Sequence, residues 1–161
     1  MASTPLIRNE EPGDAQAVAA LVERAFGPGR YAKAAERLRE GNAPRVDLSF
    51  VAEVDGRLAG SVRLWPVKVG GQPAMLLGPI AVDESQRGAG LGQTLVERAC
   101  DAAKAAGEAA VLLVGDVSWF ERSGFARAPD AVMPGPVDQR RVLVRSLRDD
   151  VGDLSGPVTP H

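Results

Sequence analysis

Residues 74–106 read AMLLGPIAVDESQRGAGLGQTLVERACDAAKAA, and the rest of the chain is organised around them. Ala74 to Val82 is an apolar run of strand formers, interrupted by Gly78-Pro79. A glycine and a proline inside a strand predict a bulge, an edge or a splay from the neighbour. Asp83-Glu84-Ser85 is a polar turn, followed by Arg87-Gly88-Ala89-Gly90-Leu91-Gly92 and then a helix. In that helix Leu91, Leu95, Ala99, Ala102 and Ala106 recur at spacings of four and three, with Gln93, Glu97, Asp101 and Lys104 opposite. Gly107 supplies the C-terminal stop.

The glycines therefore sit between a strand and the first turn of a helix. There the leading N–H groups lack intrahelical partners, and the helix dipole places partial positive charge. Residues without a Cβ let an anion approach those donors, and Arg87 adds a cation that pairs with phosphate. The pattern reads as a phosphate or pyrophosphate cradle; the alternative is a turn that merely needs glycines. A dinucleotide fingerprint requires Gly-x-Gly-x-x-Gly, which fails at Gln93 when counted from Gly88 and at Leu95 when counted from Gly90. No Gly-Lys-Ser/Thr follows, which excludes a nucleoside-triphosphate P-loop.

Arg87, Gly90 and Gly92 fit Arg-x-x-Gly-x-Gly, and this stretch resembles the acyl-CoA pyrophosphate loop of the GNAT superfamily of N-acetyltransferases. A second segment carries the resemblance: Val111 to Asp116, then Trp119-Phe120-Glu121-Arg122-Ser123-Gly124-Phe125, similar to the superfamily's fifth strand, short helix and Tyr-Glu-Lys-x-Gly-Phe ending. It extends over roughly Ile7 to Leu147 and is nearest to a bacterial subgroup of predicted acetyltransferases. The fold implied is a mixed α/β (α+β) arrangement: a mostly antiparallel meander joined to a central βαβ unit whose parallel strands splay.

Length and composition suit one domain over residues 1–147, with a polar, loosely held C-terminal tail over 148–161. Aromatics are 4%, so the core must be Leu, Val and Ala; the net charge of −2, from 19 basic and 21 acidic residues, does not favour nucleic acid. The lone Cys100 permits no internal disulfide and is expected as a half-buried structural residue on the central helix. No apolar leader or membrane-length run is present, so a cytoplasmic protein without a membrane partner is expected. A homodimer through the last strands is left open.

In chain order, a strand is expected at Leu6 to Asn9. A helix follows with Asp14 as N-cap and Val18, Leu21, Val22 and Ala25 as its stripe, ended by Gly27-Pro28-Gly29. A second helix spans roughly Tyr31 to Arg39. Ser49 to Val69 reads as a hairpin about Asp55-Gly56, and Gly70-Gly71 turns into the central strand. Trp65-Pro66 predicts a bulge or an unpaired edge position. Glu53 and Arg63 are expected to face each other across the hairpin as a surface pair. After the central helix, Glu108 to Gly115 is a strand parallel to the first, and Arg140 to Leu147 is a last strand. Only 45 residues follow Asp116, too few for the second half of a doubly wound sheet.

The resemblance supplies the chemistry. Acetyl-CoA is the implied cosubstrate and an amine the acceptor. Backbone groups of Ile80, Ala81 and Val82 would pair with pantetheine as a strand would. Arg87, Gly88, Ala89, Gly90, Leu91 and Gly92 would hold the pyrophosphate, with Trp119, Phe120 and Arg122 along the cofactor. The N–H near Ile80 is the expected oxyanion donor. Asp116, at a strand end beside the splay, is a candidate base or substrate anchor; its alternative is capping the helix that begins at Val117. Tyr31, the only tyrosine, is a candidate for the acceptor side or for packing a helix start. Many relatives carry at position 120 a tyrosine that protonates the departing thiolate, and here Phe120 has no proton to give. A second reading is thus an acyl-CoA-binding module with little turnover. His161 is the only histidine and stands at the end, and no cluster of metal ligands is visible in the sequence.

Overall fold

The computed structural model describes residues 4–27 and 33–161. Its strands are β1 (Leu6–Asn9), β2 (Phe50–Val54), β3 (Arg57–Val69), β4 (Gln72–Val82), β5 (Ala110–Val114), β6 (Ala126–Arg127), β7 (Ala131–Val132), β8 (Val142–Ser146) and β9 (Gly156–Pro160). The helices are α1 (Ala15–Phe26), α2 (Ala34–Arg37), α3 (Leu91–Ala105) and α4 (Val117–Phe120). One mixed sheet runs β1-β2-β3-β4-β5-β8-β6, antiparallel throughout that path except for the parallel pair β4–β5. This is the expected meander joined to a βαβ unit, with α3 as the crossover.

Alternation along the strands separates two cores. Val62, Leu64, Met75, Leu77, Val111 and Leu113 pack against Leu91, Leu95, Val96, Ala99, Cys100 and Ala103 of α3. Trp65, Val67, Leu76, Ala110 and Leu112 face the other way, toward Ala34, Ala35 and Leu38. Val18, Leu21 and Val22 of α1 close over Val51 and Ala81. The buried stripe of α3 is rotated from the expected one: Val96, Cys100 and Ala103 are inside, whereas Ala106 is exposed beyond the helix end. Cys100 is fully buried rather than half-buried, and burial pushes its thiol up to about 12.

Both hairpin turns have left-handed backbone at their two central residues, Asp55-Gly56 and Gly70-Gly71. Pro66 occupies a gap on the outer edge of β3. Strand β2 pairs that edge as far as Val62, β9 takes it up from Val67, and the Pro66 carbonyl between them accepts from Asn42 Nδ2 at 2.9 Å. The missing amide proton thus costs no ladder bond.

Four further expectations need correction. Asp14 does not cap α1 with its side chain; residues Pro12–Asp14 form an extra turn, and the Asp14 carboxylate accepts from the Glu11 N–H at 2.8 Å and pairs with Arg8 at 2.7 Å. Glu53 and Arg63 do not meet: the two-residue turn at Asp55-Gly56 sets Glu53 opposite Leu58, five residues short of Arg63, so Glu53 lies beside Arg8 at 3.0 Å and Arg63 pairs with the buried Glu10 at 2.7 Å. The second helix is shorter than expected, covering Ala34–Arg37 among the described residues. Residues 148–161 are not a loose tail, because β9 adds to β3 at Val67–Val69 and to β7, with Val158 1% exposed. Deleting residues 156–161 is expected to lower unfolding free energy by about 2–4 kcal/mol, the cost of exposing a buried valine and part of its neighbours. Urea denaturation measures this, and an unchanged midpoint would restore the loose tail.

Candidate active site

The two parallel strands touch only briefly. Met75 pairs with Val111 and Leu76 with Leu112; beyond that β4 continues along β3 to Val82, and β5 continues along β8 to Val114. The strands part at Gly78-Pro79, where two residues of β4 oppose the single Arg63 of β3, between the pairs Leu64–Leu77 and Val62–Ile80. The peptide joining them is cis. Gly78 has φ 138°, a backbone conformation that strains any residue with a Cβ, and a Cβ there would also displace the end of the Arg39 side chain, whose Nη2 would lie 2.7 Å away. Its carbonyl accepts from Trp65 Nε1 at 2.6 Å, which anchors the bulge to β3.

The splay leaves backbone groups open. Asp83 N–H donates to the Ala59 carbonyl at 2.7 Å, so Asp83 and, by alternation, Ala81 turn their polar groups toward β3. Ile80 and Val82 therefore turn theirs toward the gap facing β5. Gly115, at the far lip, donates its N–H to the Arg141 carbonyl at 2.8 Å.

Two cavities flank the gap. The smaller, about 340 Å³, is lined by Val82, Gln86, Arg87, Gly88, Gly90, Leu91, Gly92, Gln93, Trp119 and Arg122. It brings Arg87, Gly88, Gly90, Leu91 and Gly92 of the glycine-rich turn together with Trp119 and Arg122. Gly90 caps α3 in left-handed backbone at φ 81°, directing the first N–H groups of the helix outward. Arg87 Nε rests on the Val82 carbonyl at 3.3 Å, and Arg122 lies over the Trp119 ring at 5.6 Å. Ala89 does not line this cavity, although it is exposed in the same turn. Ala81 directs its side chain into the α1 core and offers only backbone.

The larger cavity, about 530 Å³, lies at the splay itself and includes Leu77, Gly78, Pro79, Ile80, Gly115, Asp116 and Phe120. Phe120 stands over Gly115, where a Cβ would meet its Cδ2 at 2.9 Å, and its ring packs edge-on against Trp119 and Phe125 with centroids 4.6 and 5.8 Å away. Asp116 does cap α4: its Oδ1 accepts from the Ser118 N–H at 3.0 Å and from Ser118 Oγ at 2.9 Å. Both bonds use one oxygen, and Oδ2 has no hydrogen-bond partner among the described residues. Tyr31 lies outside the described residues. Asp83 binds Ser85 across the polar turn, and the Ser85 hydrogen bonds hold its carboxyl below the ordinary range.

Lys33, Arg39, Asp138 and Arg141, which also line the larger cavity, and Gln86 and Gln93 in the smaller one, were not singled out from the sequence. Lys33 and Arg39 flank α2, whereas Asp138 and Arg141 precede β8, and no local pattern links the two segments. Gln93 alone carried a signal, as the third residue of a helix whose N-terminus was legible. Among the described residues no group of three or more potential metal ligands exists, and no helix is long and apolar enough to cross a membrane.

A parallel pair held open beside a glycine-rich helix N-terminus is the framework of an acyl-CoA-dependent acyltransferase. The model of the acetyltransferase (GNAT) family matches residues 15–125, and the chain belongs to that family. It is 36% identical to the uncharacterized N-acetyltransferase YhbS of Escherichia coli K12, over 97% of this chain and 96% of that one. The crystal structure of E. coli YhbS in complex with CoA superposes with a TM-score of 0.84 at 35% identity, covering 100% of this chain and 92% of the other. A GNAT family acetyltransferase from Brucella melitensis, in complex with acetyl-CoA, gives 0.74 at 27% identity, covering 99% and 97%.

Proposed function

We propose that the chain transfers the acetyl group of acetyl-CoA to a primary amine by direct attack. The observation that supports this most is the unpaired edge of β4 at Ile80 and Val82, opening between the two cavities. Pantetheine fits that edge as an added half-strand, with its pyrophosphate on the N–H groups of Leu91 to Gln93 and beside Arg87. The thioester carbonyl then reaches the larger cavity, where the Ile80 N–H is placed to stabilise the oxyanion. Attack by the neutral amine forms the C–N bond, and collapse of the tetrahedral intermediate breaks the C–S bond. One proton leaves the amine, and Asp116 Oδ2 is the carboxylate oxygen best placed to anchor or receive it.

Phe120 gives the departing sulfur no proton. A thiolate is nevertheless a tolerable leaving group, since a thiol pKa is about 8.5, and water enters the open cavity. Phe120→Tyr is expected to raise kcat about three- to thirtyfold, below the 10²–10⁴ of a fully positioned acid because water already supplies part of the effect. The KM for acetyl-CoA should barely change. CoA release measured with a panel of primary amines tests the transfer itself. Turnover above the rate of hydrolysis supports it; tight acetyl-CoA binding without turnover would leave a binding module, which the phenylalanine at 120 would then explain.

A further inference from the structure

The larger cavity has a charge pattern that selects among amines. Its walls are mainly apolar, with Phe26, Ala34, Ala35, Pro79, Ile80 and Val137 contributing. Lys33, Arg39 and Arg141 supply the cations, and Asp116 and Asp138 the carboxylates. Two of these charges are already matched. Arg39 pairs with Glu36 at 3.1 Å, and Asp138 pairs with Arg140, outside the lining, at 2.9 Å. That leaves Lys33, whose ammonium lies 5.3 Å from the centre of the Phe26 ring, Arg141, and Asp116. The Arg141 guanidinium makes no hydrogen bond or ion pair among the described residues, although its charge helps to lower Asp138. Its backbone is nonetheless fixed, because its carbonyl receives the Gly115 N–H and its own N–H donates to Asp138 at 2.9 Å. An available guanidinium is thus tied to the residue immediately before Asp116, at the lip of the splay.

Resting on the transfer reaction above, we propose that the acceptor is an amine that also carries an anionic group on an apolar body, its anion on Arg141 and Lys33 and its amine at Asp116. Such a molecule matches each unmatched charge with its opposite and fills the apolar wall. A cationic acceptor would set its second charge against Arg141 and Lys33.

The test uses matched acceptors that differ only in the anion: L-leucine against L-leucinamide, and L-phenylalanine against its amide. Amidation makes the amine less basic, so intrinsic availability of the neutral amine favours the amides. The expected result is a kcat/KM at least about tenfold higher for the acids, in line with a charge-assisted hydrogen bond. Arg141→Gln should raise the acid's KM by a similar factor, leave the KM for acetyl-CoA unchanged, and erase the preference. Amides used as well as or better than acids, or a preference that survives Arg141→Gln, overturns the proposal. CoA release with no amine of any charge rejects the transfer reaction instead. In that event titration of the CoA-bound protein with N-acetyl-L-leucine and N-acetyl-L-leucinamide decides the acceptor question: selective binding of the acid supports it, and equal or absent binding overturns it.

Discussion

Gly90→Glu should reduce CoA affinity by roughly 10³-fold, because two like charges about 4 Å apart at an effective dielectric constant near 20 repel by about 4 kcal/mol. The site makes the effect specific. A Cβ at residue 90 meets nothing within 4 Å, so the side chain enters open space in the cradle rather than the core. The φ of 81° does penalise any side chain, and Gly90→Gln carries the same penalty without the charge. The glutamine variant should therefore lose far less affinity than the glutamate one. Calorimetric titration of the two variants, with thermal melts to show equal folding, separates charge from strain. Equal losses would mean that the loop conformation, not the anion site, had been damaged.

Arg87→Ala should weaken CoA by about 1.5–3 kcal/mol, the range of a hydrogen bond to a charged group. Arg87 is exposed and its side chain's only hydrogen bond among the described residues is the long one to the Val82 carbonyl, so the fold should hardly notice the change. The loss should disappear for acetylpantetheine, which lacks the pyrophosphate, and should shrink at high salt. An equal loss for acetylpantetheine would assign Arg87 to shaping the end of β4.

The parts of the molecule legible in sequence are those written locally. Strand, polar turn, glycines and amphipathic helix follow one another within residues 74–106, so β4, the cradle and α3 could be placed from periodicity and helix-end chemistry alone. The Gly78-Pro79 break announced the splay for the same reason: both residues disrupt a ladder wherever they fall. What failed was tertiary. Strand β9 reads Gly156-Pro157-Val158-Thr159-Pro160, with two prolines and one large aliphatic residue, and it is pairing with the vacant edge of β3 and with β7 that makes it a strand. Arg63 and Glu53 each pair with a residue of the N-terminal segment, because the turn sets Glu53 opposite Leu58 and only the packing of β1 and the residues after it brings Arg8 and Glu10 alongside. Asp14 likewise joined Arg8 of β1 rather than the helix after it. The glycine-rich turn before α3 is local and therefore legible. The larger cavity joins the end of α1, α2, the β4 bulge and the loop before β8, and no single stretch of sequence carries it.

The most direct measurement is a crystal structure of the protein with CoA. The expected complex has pyrophosphate oxygens on the N–H groups of Leu91 to Gln93, the Arg87 guanidinium beside them, and the pantetheine amides hydrogen-bonded to Ile80 and Val82 within the β4–β5 gap. The sulfur should then point into the larger cavity, near Phe120 and Asp116. CoA bound elsewhere, or β4 and β5 closed on each other from Leu77 onward with the cofactor outside, would contradict the assignment of this splay as the acetyl-transfer site.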